Sequence, residues 1–147
     1  MFNIALYQPD IPQNTGSIIR LCSCFDTTLE IIEPCGFNLE DKRLKRVAMD
    51  YLEKSKIIRY KNYEDFIMKK KNSRVILMTT KAKKKYYLFK FKPEDTLLFG
   101  RESAGVPEIV HKKSYERLRI PLKNNQRSLN LSMATSIVLA EALRQNL

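Results

Sequence analysis

The stretch Arg119-Ile120-Pro121-Leu122-Lys123-Asn124-Asn125-Gln126-Arg127-Ser128-Leu129-Asn130-Leu131-Ser132 decides the fold. It opens as the apolar end of a strand that runs into Pro121. Residues 123–127 are polar throughout and make a loop. Ser-Leu-Asn-Leu-Ser then leads directly into a segment of helical period, with Leu131, Ala134, Val138, Leu139, Ala142 and Leu143 on one face. A strand end, a polar loop and a capped helix start gather backbone N–H groups and small hydroxyls around one point. Such a point suits a small polar ligand.

Working outward, apolar runs of strand length fall at 2–7, 28–33, 56–60, 74–78, 95–99 and 118–122. The fourth, rich in Val, Ile and Leu, reads as a central strand. Between them lie helical patterns. One is capped by Asn14 or Thr15, after a loop held open by Pro9 and Pro12, and continues to Phe25 with Ile18, Ile19, Leu21 and Cys22 inward. Others cover 40–49, 63–71, 108–111 and 130–145. Strands alternating with helices predict an α/β fold: a single domain over 1–147, with a mostly parallel six-stranded sheet and helices on both faces. At 147 residues one domain is the expected count.

The net charge is +11 and unevenly spread. Residues 69–92 hold ten Lys or Arg and no acidic residue, with Tyr86, Tyr87, Phe89 and Phe91 mixed in. A second cluster is Lys42-Arg43-Leu44-Lys45-Arg46. Basic residues interleaved with aromatics suit RNA, whose phosphates need cations and whose unstacked bases need flat partners. No apolar run approaches the ~18 residues of a membrane span, and the N-terminus lacks a signal pattern, so no membrane partner and a cytoplasmic location are expected. Three cysteines and one histidine make a poor metal site, so no metal is expected and the thiols read as reduced, with Cys22 on an apolar helix face.

Familiar catalytic patterns are missing. No Gly-x-Gly-x-x-Gly follows the first strand, and there is no phosphate-loop lysine. One histidine in a charged segment does not build a Ser-His-acid set, and the carboxylates are too scattered for a two-metal nuclease. Three polar stretches remain: 14–20, Asn-Thr-Gly-Ser-Ile-Ile-Arg; 98–105, Leu-Phe-Gly-Arg-Glu-Ser-Ala-Gly; and 128–132, Ser-Leu-Asn-Leu-Ser.

In this order and spacing they resemble the three motifs of the SPOUT superfamily of RNA methyltransferases. Residues 6–16, 18–22, 31–34, 36–37, 41–44 and 119–121 look like its minimal TrmL (YibK-like) subfamily, and the likeness covers essentially the whole chain. Met133, Ala140 and Arg101 stand where members often carry Asn, Tyr and Pro. The resemblance implies a C-terminal trefoil knot, a homodimer, S-adenosyl-L-methionine as cofactor, and 2′-O-methylation of the wobble nucleotide, position 34, of leucine tRNAs.

Carried onto this chain, it places the cofactor against Met78, Thr79, Gly100, Glu102, Ile120, Ser128 and Leu129. Arg20, Asn14, Ser128 and Asn130 become the catalytic candidates. A guanidinium, with a pKa above about 12, is a poor base. Arg20 is therefore expected to hold a phosphate and stabilise the developing alkoxide, with Asn14 fixing Arg20. Lys42, Arg43, Arg46, Lys83, Lys84 and Lys85 are the candidate contacts to the tRNA anticodon arm. The competing readings are a 2′-O-methyltransferase of another tRNA or rRNA site, and a non-catalytic RNA-binding module.

Overall fold

The computed structural model describes residues 1–147. The strands are β1 (Asn3–Tyr7), β2 (Thr28–Ile32), β3 (Ile57–Tyr60), β4 (Val75–Met78), β5 (Thr96–Phe99) and β6 (Glu116–Leu118). The helices are α1 (Pro12–Cys24), α2 (Lys42–Ala48), α3 (Tyr51–Lys54), α4 (Tyr63–Lys69), α5 (Glu108–Lys113) and α6 (Leu131–Arg144). All strands join one sheet in the order β3-β2-β1-β5-β4-β6, and every pairing is parallel. The expected central place of β4 is thus corrected. β1 and β5 hold the centre, and β4 lies one strand from the edge, shielded there only by the three residues of β6.

Alternate strand residues feed two layers, as strand geometry requires. Ile4 and Leu6 of β1 enter the larger core with Ile18, Ile19 and Cys22 of α1, Leu44 of α2 and Val138 and Leu139 of α6. Ala5 and Tyr7 enter the other, with Tyr63 and Phe66 of α4 and Val110 of α5. Helices therefore cover both faces. None is long and apolar enough to cross a membrane. Burial pushes the Cys22 thiol up to about 12 and Cys35 up to about 11, so neither is a ready nucleophile.

Several local boundaries differ from expectation for physical reasons. α1 starts at Pro12, with Ile11 as its cap and no side-chain capping bond. Proline's fixed φ and missing N–H suit the first helical position. Asn14 is therefore not a cap but a buried residue of the first turn, and its amide is released for other work. Gly16 lets α2 approach closely, since a Cβ there would lie 2.8 Å from the Leu44 carbonyl oxygen. β6 spans 116–118 rather than 118–122, because the chain beyond Leu118 leaves the sheet and pairs with the loop after β4. Arg119 N–H donates to the Lys84 carbonyl and its carbonyl accepts from Tyr86, both at 2.9 Å. Within that loop Tyr86–Leu88 forms one turn of 3-10 helix.

The smaller layer contains a buried ion pair. Lys70 Nζ reaches Glu30 Oε1 at 2.5 Å, with side chains 8% and 3% exposed. Burial pushes the Glu30 carboxyl up, against the pull of Lys70. Such a pair adds little over an apolar pair, but breaking it strands a charge. Lys70→Met alone is expected to cost about 3 kcal/mol or more in urea unfolding. The double variant Lys70→Met with Glu30→Leu is expected to recover most of that loss.

Candidate functional site

The C-terminal ends of β4 and β5 open into a cavity of about 520 Å³. Crevices outside the strand C-termini are where open parallel sheets bind ligands. Met78 and Thr79 enter it from β4 and its following turn. Gly100 and Glu102 enter from the turn after β5. Ile120, Ser128 and Leu129 come from the segment between β6 and α6, and Asn14 and Asn130 from the starts of α1 and α6. The structure thus gathers nine of the sequence-selected residues around one space.

The turn after β5 is tightly folded. Arg101 and Gly105 exchange backbone hydrogen bonds of 3.0 and 2.9 Å, and Gly105 adopts φ +64°. A Cβ on Gly100 would fall 2.7 Å from the Gly105 backbone, so no other residue fits without moving the turn. Folded this way, the turn sends Glu102 back toward α1. Its Oε2 accepts from Asp10 N–H at 2.9 Å, and its Oε1 accepts from Asn14 Nδ2 at 3.3 Å. The Asn14 carbonyl oxygen accepts from Asn130 Nδ2 at 2.9 Å. Asn130 Oδ1 meanwhile caps α6, accepting from the N–H groups of Ser132 and Met133.

Two carboxyls and a guanidinium meet at this junction. Burial, and then the neighbouring Asp10, push the Glu102 carboxyl up. Hydrogen bonding from Glu102 holds Asp10 below its ordinary value, helped by Ser103 and Arg101. Arg101 Nε lies 3.3 Å from Asp10 Oδ2. The two neighbouring carboxyls are thus pushed in opposite directions, Glu102 up and Asp10 down.

The opposite wall is different. The backbone N–H groups of Ile120, Leu122, Ser128 and Leu129 donate to no protein group, and all four residues lie at the cavity. Asn124 and Asn125 turn this segment through two consecutive positive φ angles, 57° and 53°, which asparagine tolerates best after glycine.

Not every expected residue joins the cavity. Arg20 is exposed on α1 and does not line it. Its guanidinium sits 5.1 Å from the Tyr51 ring centroid, and Nη1 lies 3.7 Å from Met49 Sδ. The expected Asn14–Arg20 contact is corrected: Asn14 spends its amide on Glu102 and Asn130, and α1 carries Arg20 more than a turn further on. Lys42, Arg43 and Arg46 are exposed on α2, where Arg43 also pairs with the capping Asp41 at 2.8 Å. Lys83 and Lys84 are exposed and Lys85 half-buried in the loop after β4, and Lys84 reaches Glu116 at 3.3 Å. The aromatic part of that cluster is corrected too. Phe89 and Phe91 are core residues, 7% and 2% exposed, leaving Tyr86 and Tyr87 nearer the surface. Sequence reasoning missed Lys81, Leu122 and His111 as lining residues. Leu122 could have been read from its place beside Ile120, but His111 carried no local signal.

The model of the SpoU rRNA methylase family matches residues 1–140. This chain belongs to that family. Its relatives include a tRNA (cytidine(34)-2′-O)-methyltransferase from Beijerinckia indica, 47% identical over 97% of this chain and 90% of the relative. Among solved structures, one described as giving structural insights into the 2-OH methylation of C/U34 on tRNA superposes with a TM-score of 0.95. It is 35% identical, over 99% of this chain and 96% of that one. An AdoMet-bound rRNA methyltransferase from Sinorhizobium meliloti gives a TM-score of 0.91 at 28% identity, over 99% of this chain and 57% of the longer one.

Glu102 makes a pH prediction. Unfolded, it titrates near 4.5; folded, it keeps its proton to higher pH. Its contribution is complete below 4.5 and is lost as pH rises through the raised value. Glu102→Gln is expected to flatten that limb in urea midpoints as pH rises above 4.5. Gly100→Ala is expected to lower stability by roughly 1–3 kcal/mol through overpacking of the turn, read by the same unfolding curves.

Proposed function

We propose that this chain transfers a methyl group from S-adenosyl-L-methionine to the ribose 2′-OH of the wobble nucleotide, cytidine or a modified uridine at position 34, of leucine tRNAs. The observation that carries this reading is the convergence of the three polar stretches on one cavity, in a chain close to relatives named for that reaction at cytidine 34.

The residues present fit the cofactor. The cavity volume is in the range of small-molecule sites. Met78, Ile120 and Leu129 offer an apolar slot for adenine, and the free N–H groups from Ile120 to Leu129 offer donors for nitrogen and oxygen acceptors. The cofactor carries no phosphate, which agrees with a wall that has no phosphate cradle. When bound, it supplies an electrophilic methyl group. The protein's part is to hold the ribose hydroxyl in line with it, an effect worth on the order of 7 kcal/mol in favourable cases. Ser128 and Asn130 orient the ribose or cofactor. Arg20 holds the adjoining phosphate and stabilises the alkoxide as the proton leaves to solvent or phosphate.

In this reading the enzyme is a cytoplasmic homodimer. Arg20 lies outside the cavity of its own chain, and Ile11 and Phe25 of the α1 region, with Met133 and Ile137 of α6, expose apolar surface. Pairing through α1 and α6 brings Arg20 of one copy to the cavity of the other. The anticodon arm lies across Lys42, Arg43 and Arg46 and across Lys83, Lys84 and Lys85. The chain between β6 and α6 is threaded as a trefoil knot. The loop 79–92 supports this, being bonded to Arg119 on one side and, through the carbonyls of Phe89 and Phe91, to Gln145 and Asn146 on the other.

Methyl transfer tests the reading directly. Purified protein with unmodified total tRNA and labelled S-adenosylmethionine is expected to yield labelled 2′-O-methylcytidine or a 2′-O-methyluridine derivative, mapped to position 34 of leucine tRNAs. Label at another site would move the substrate, and cofactor binding without label on any RNA would favour the non-catalytic module. Co-expressing Arg20→Ala with Gly100→Ala chains is expected to restore activity that neither has alone; no restoration would place Arg20 and the cofactor in one chain's site. Affinity for tRNA is expected to fall with salt, with a log–log slope growing by roughly 0.7 to 0.9 per phosphate contacted.

A further inference from the structure

His111 is the only histidine of the chain, and none of the three polar stretches contains it. It sits on α5, next to Val110, which is buried in the smaller core. Its backbone is fixed at both ends: its N–H donates to the Pro107 carbonyl at 3.4 Å, and its carbonyl accepts from Arg117 Nη1 at 3.1 Å. The residue is 7% exposed and lines the cavity beside Gly105 and Val106. Neither ring nitrogen bonds to any protein group. Nor is either nitrogen among the fully sealed unpartnered atoms. The residue is thus nine-tenths buried at the cavity wall, with both ring nitrogens unpaired and neither sealed off from solvent.

Buried polar groups are ordinarily satisfied, and a neutral imidazole offers one N–H donor and one acceptor. The charged groups of the turn after β5 have partners of their own. Val106 and Gly105 bring no side-chain polar atom. Arg101 is engaged by Asp10, and Glu102 by Asn14 and the Asp10 N–H. Lys112 and Lys113 are exposed. Held by α5 rather than by a loop, the ring is ordered before any ligand arrives, so little conformational entropy is lost when it bonds.

We infer that His111 is a further contact residue of the cofactor cavity, its ring N–H donating to an oxygen of the bound S-adenosylmethionine. The inference rests on the cofactor reading given above. The oxygen belongs either to the ribose or to the methionine carboxylate, and both are hydrogen-bond acceptors of the right chemistry. The wall made by α5 and the turn after β5 then supplies a specific polar contact as well as shape.

Because the chain has a single histidine, the ring can be watched without assignment ambiguity. In long-range ¹H–¹⁵N spectra, saturation with S-adenosylhomocysteine is expected to move the ring nitrogen resonances and fix one tautomer. In calorimetry His111→Leu is expected to weaken S-adenosylhomocysteine binding by roughly 3- to 10-fold, the scale of one neutral hydrogen bond. His111→Asn, which keeps an N–H, is expected to regain part of the loss. Unperturbed thermal unfolding of each variant separates this from misfolding. Repeating the calorimetry with methylthioadenosine, which lacks the amino acid part, locates the acceptor. A retained penalty means the ribose, and a vanished one means the carboxylate. Ring resonances unmoved at saturation, with His111→Leu binding as tightly as the native chain, would overturn the inference while leaving the cofactor reading intact. Absence of any cofactor binding by the native chain would instead overturn the cofactor reading itself.

Discussion

One side-chain amide ties the molecule's three functional segments together. Asn14 donates to Glu102, 88 residues further along the chain, and accepts from Asn130, 116 residues further along. An amide can do this at one position, as a carboxylate, which cannot donate, and an ammonium, which cannot accept, could not. Each partner is itself engaged. Glu102 takes the Asp10 N–H, and Asn130 caps α6 with the oxygen that its own amide group leaves free. The first turn of α1, the turn after β5 and the first turn of α6 are therefore fixed relative to one another. Part-buried and linked from end to end, the network rigidifies one wall of the cavity. The other wall, between β6 and α6, keeps its backbone donors unspent.

The sheet explains why these segments meet. In an all-parallel sheet every strand ends at the same edge, so the turns after β4 and β5 and the segment after β6 emerge together. The short register of β6, three residues against β4, releases the chain early. Arg119 then pairs with the loop after β4 instead of continuing the ladder, and Ile120 is free to face the cavity.

The alternation of elements was legible because it depends on local signals, whereas the cavity residues were named through the resemblance of the three polar stretches to known motifs. Apolar runs of strand length, helical periods and turn glycines act over a few residues. What the sequence did not carry depends on distant partners. Asn14 has the composition of a cap, but Pro12 starts the helix two residues earlier and frees the amide for Glu102 and Asn130. Phe89 and Phe91 look like stacking residues among lysines. Their burial is decided by the C-terminal end beyond α6, where Gln145 and Asn146 hold that loop down from more than fifty residues away. β4 has a central strand's composition because β6 covers its outer edge, and composition cannot tell one covering strand from two layers of sheet. His111 lies in a charged segment, and only the packing of α5 turns it toward the cavity. The motif order placed Arg20 with the other motif residues, whereas helix geometry sets it on the exposed side of α1 against Tyr51.

The distribution of charge assigns different work to the cavity and to the surface. Of the charged side chains lining the cavity, Arg101 is paired with Asp10 and Glu102 is hydrogen-bonded within the network; only Lys81 has no protein partner. A nucleotide with its phosphates would meet one free cation there and a carboxyl pair, an unfavourable balance for several negative charges. A ligand with little net charge meets no such penalty. The excess positive charge sits instead on exposed α2 and on the loop after β4, where the desolvation cost is small and each neutralised phosphate releases counterions. The interior therefore discriminates by shape and hydrogen bonding and the exterior by field. That balance favours a polyanion at the rim and a ligand of low net charge in the space beneath.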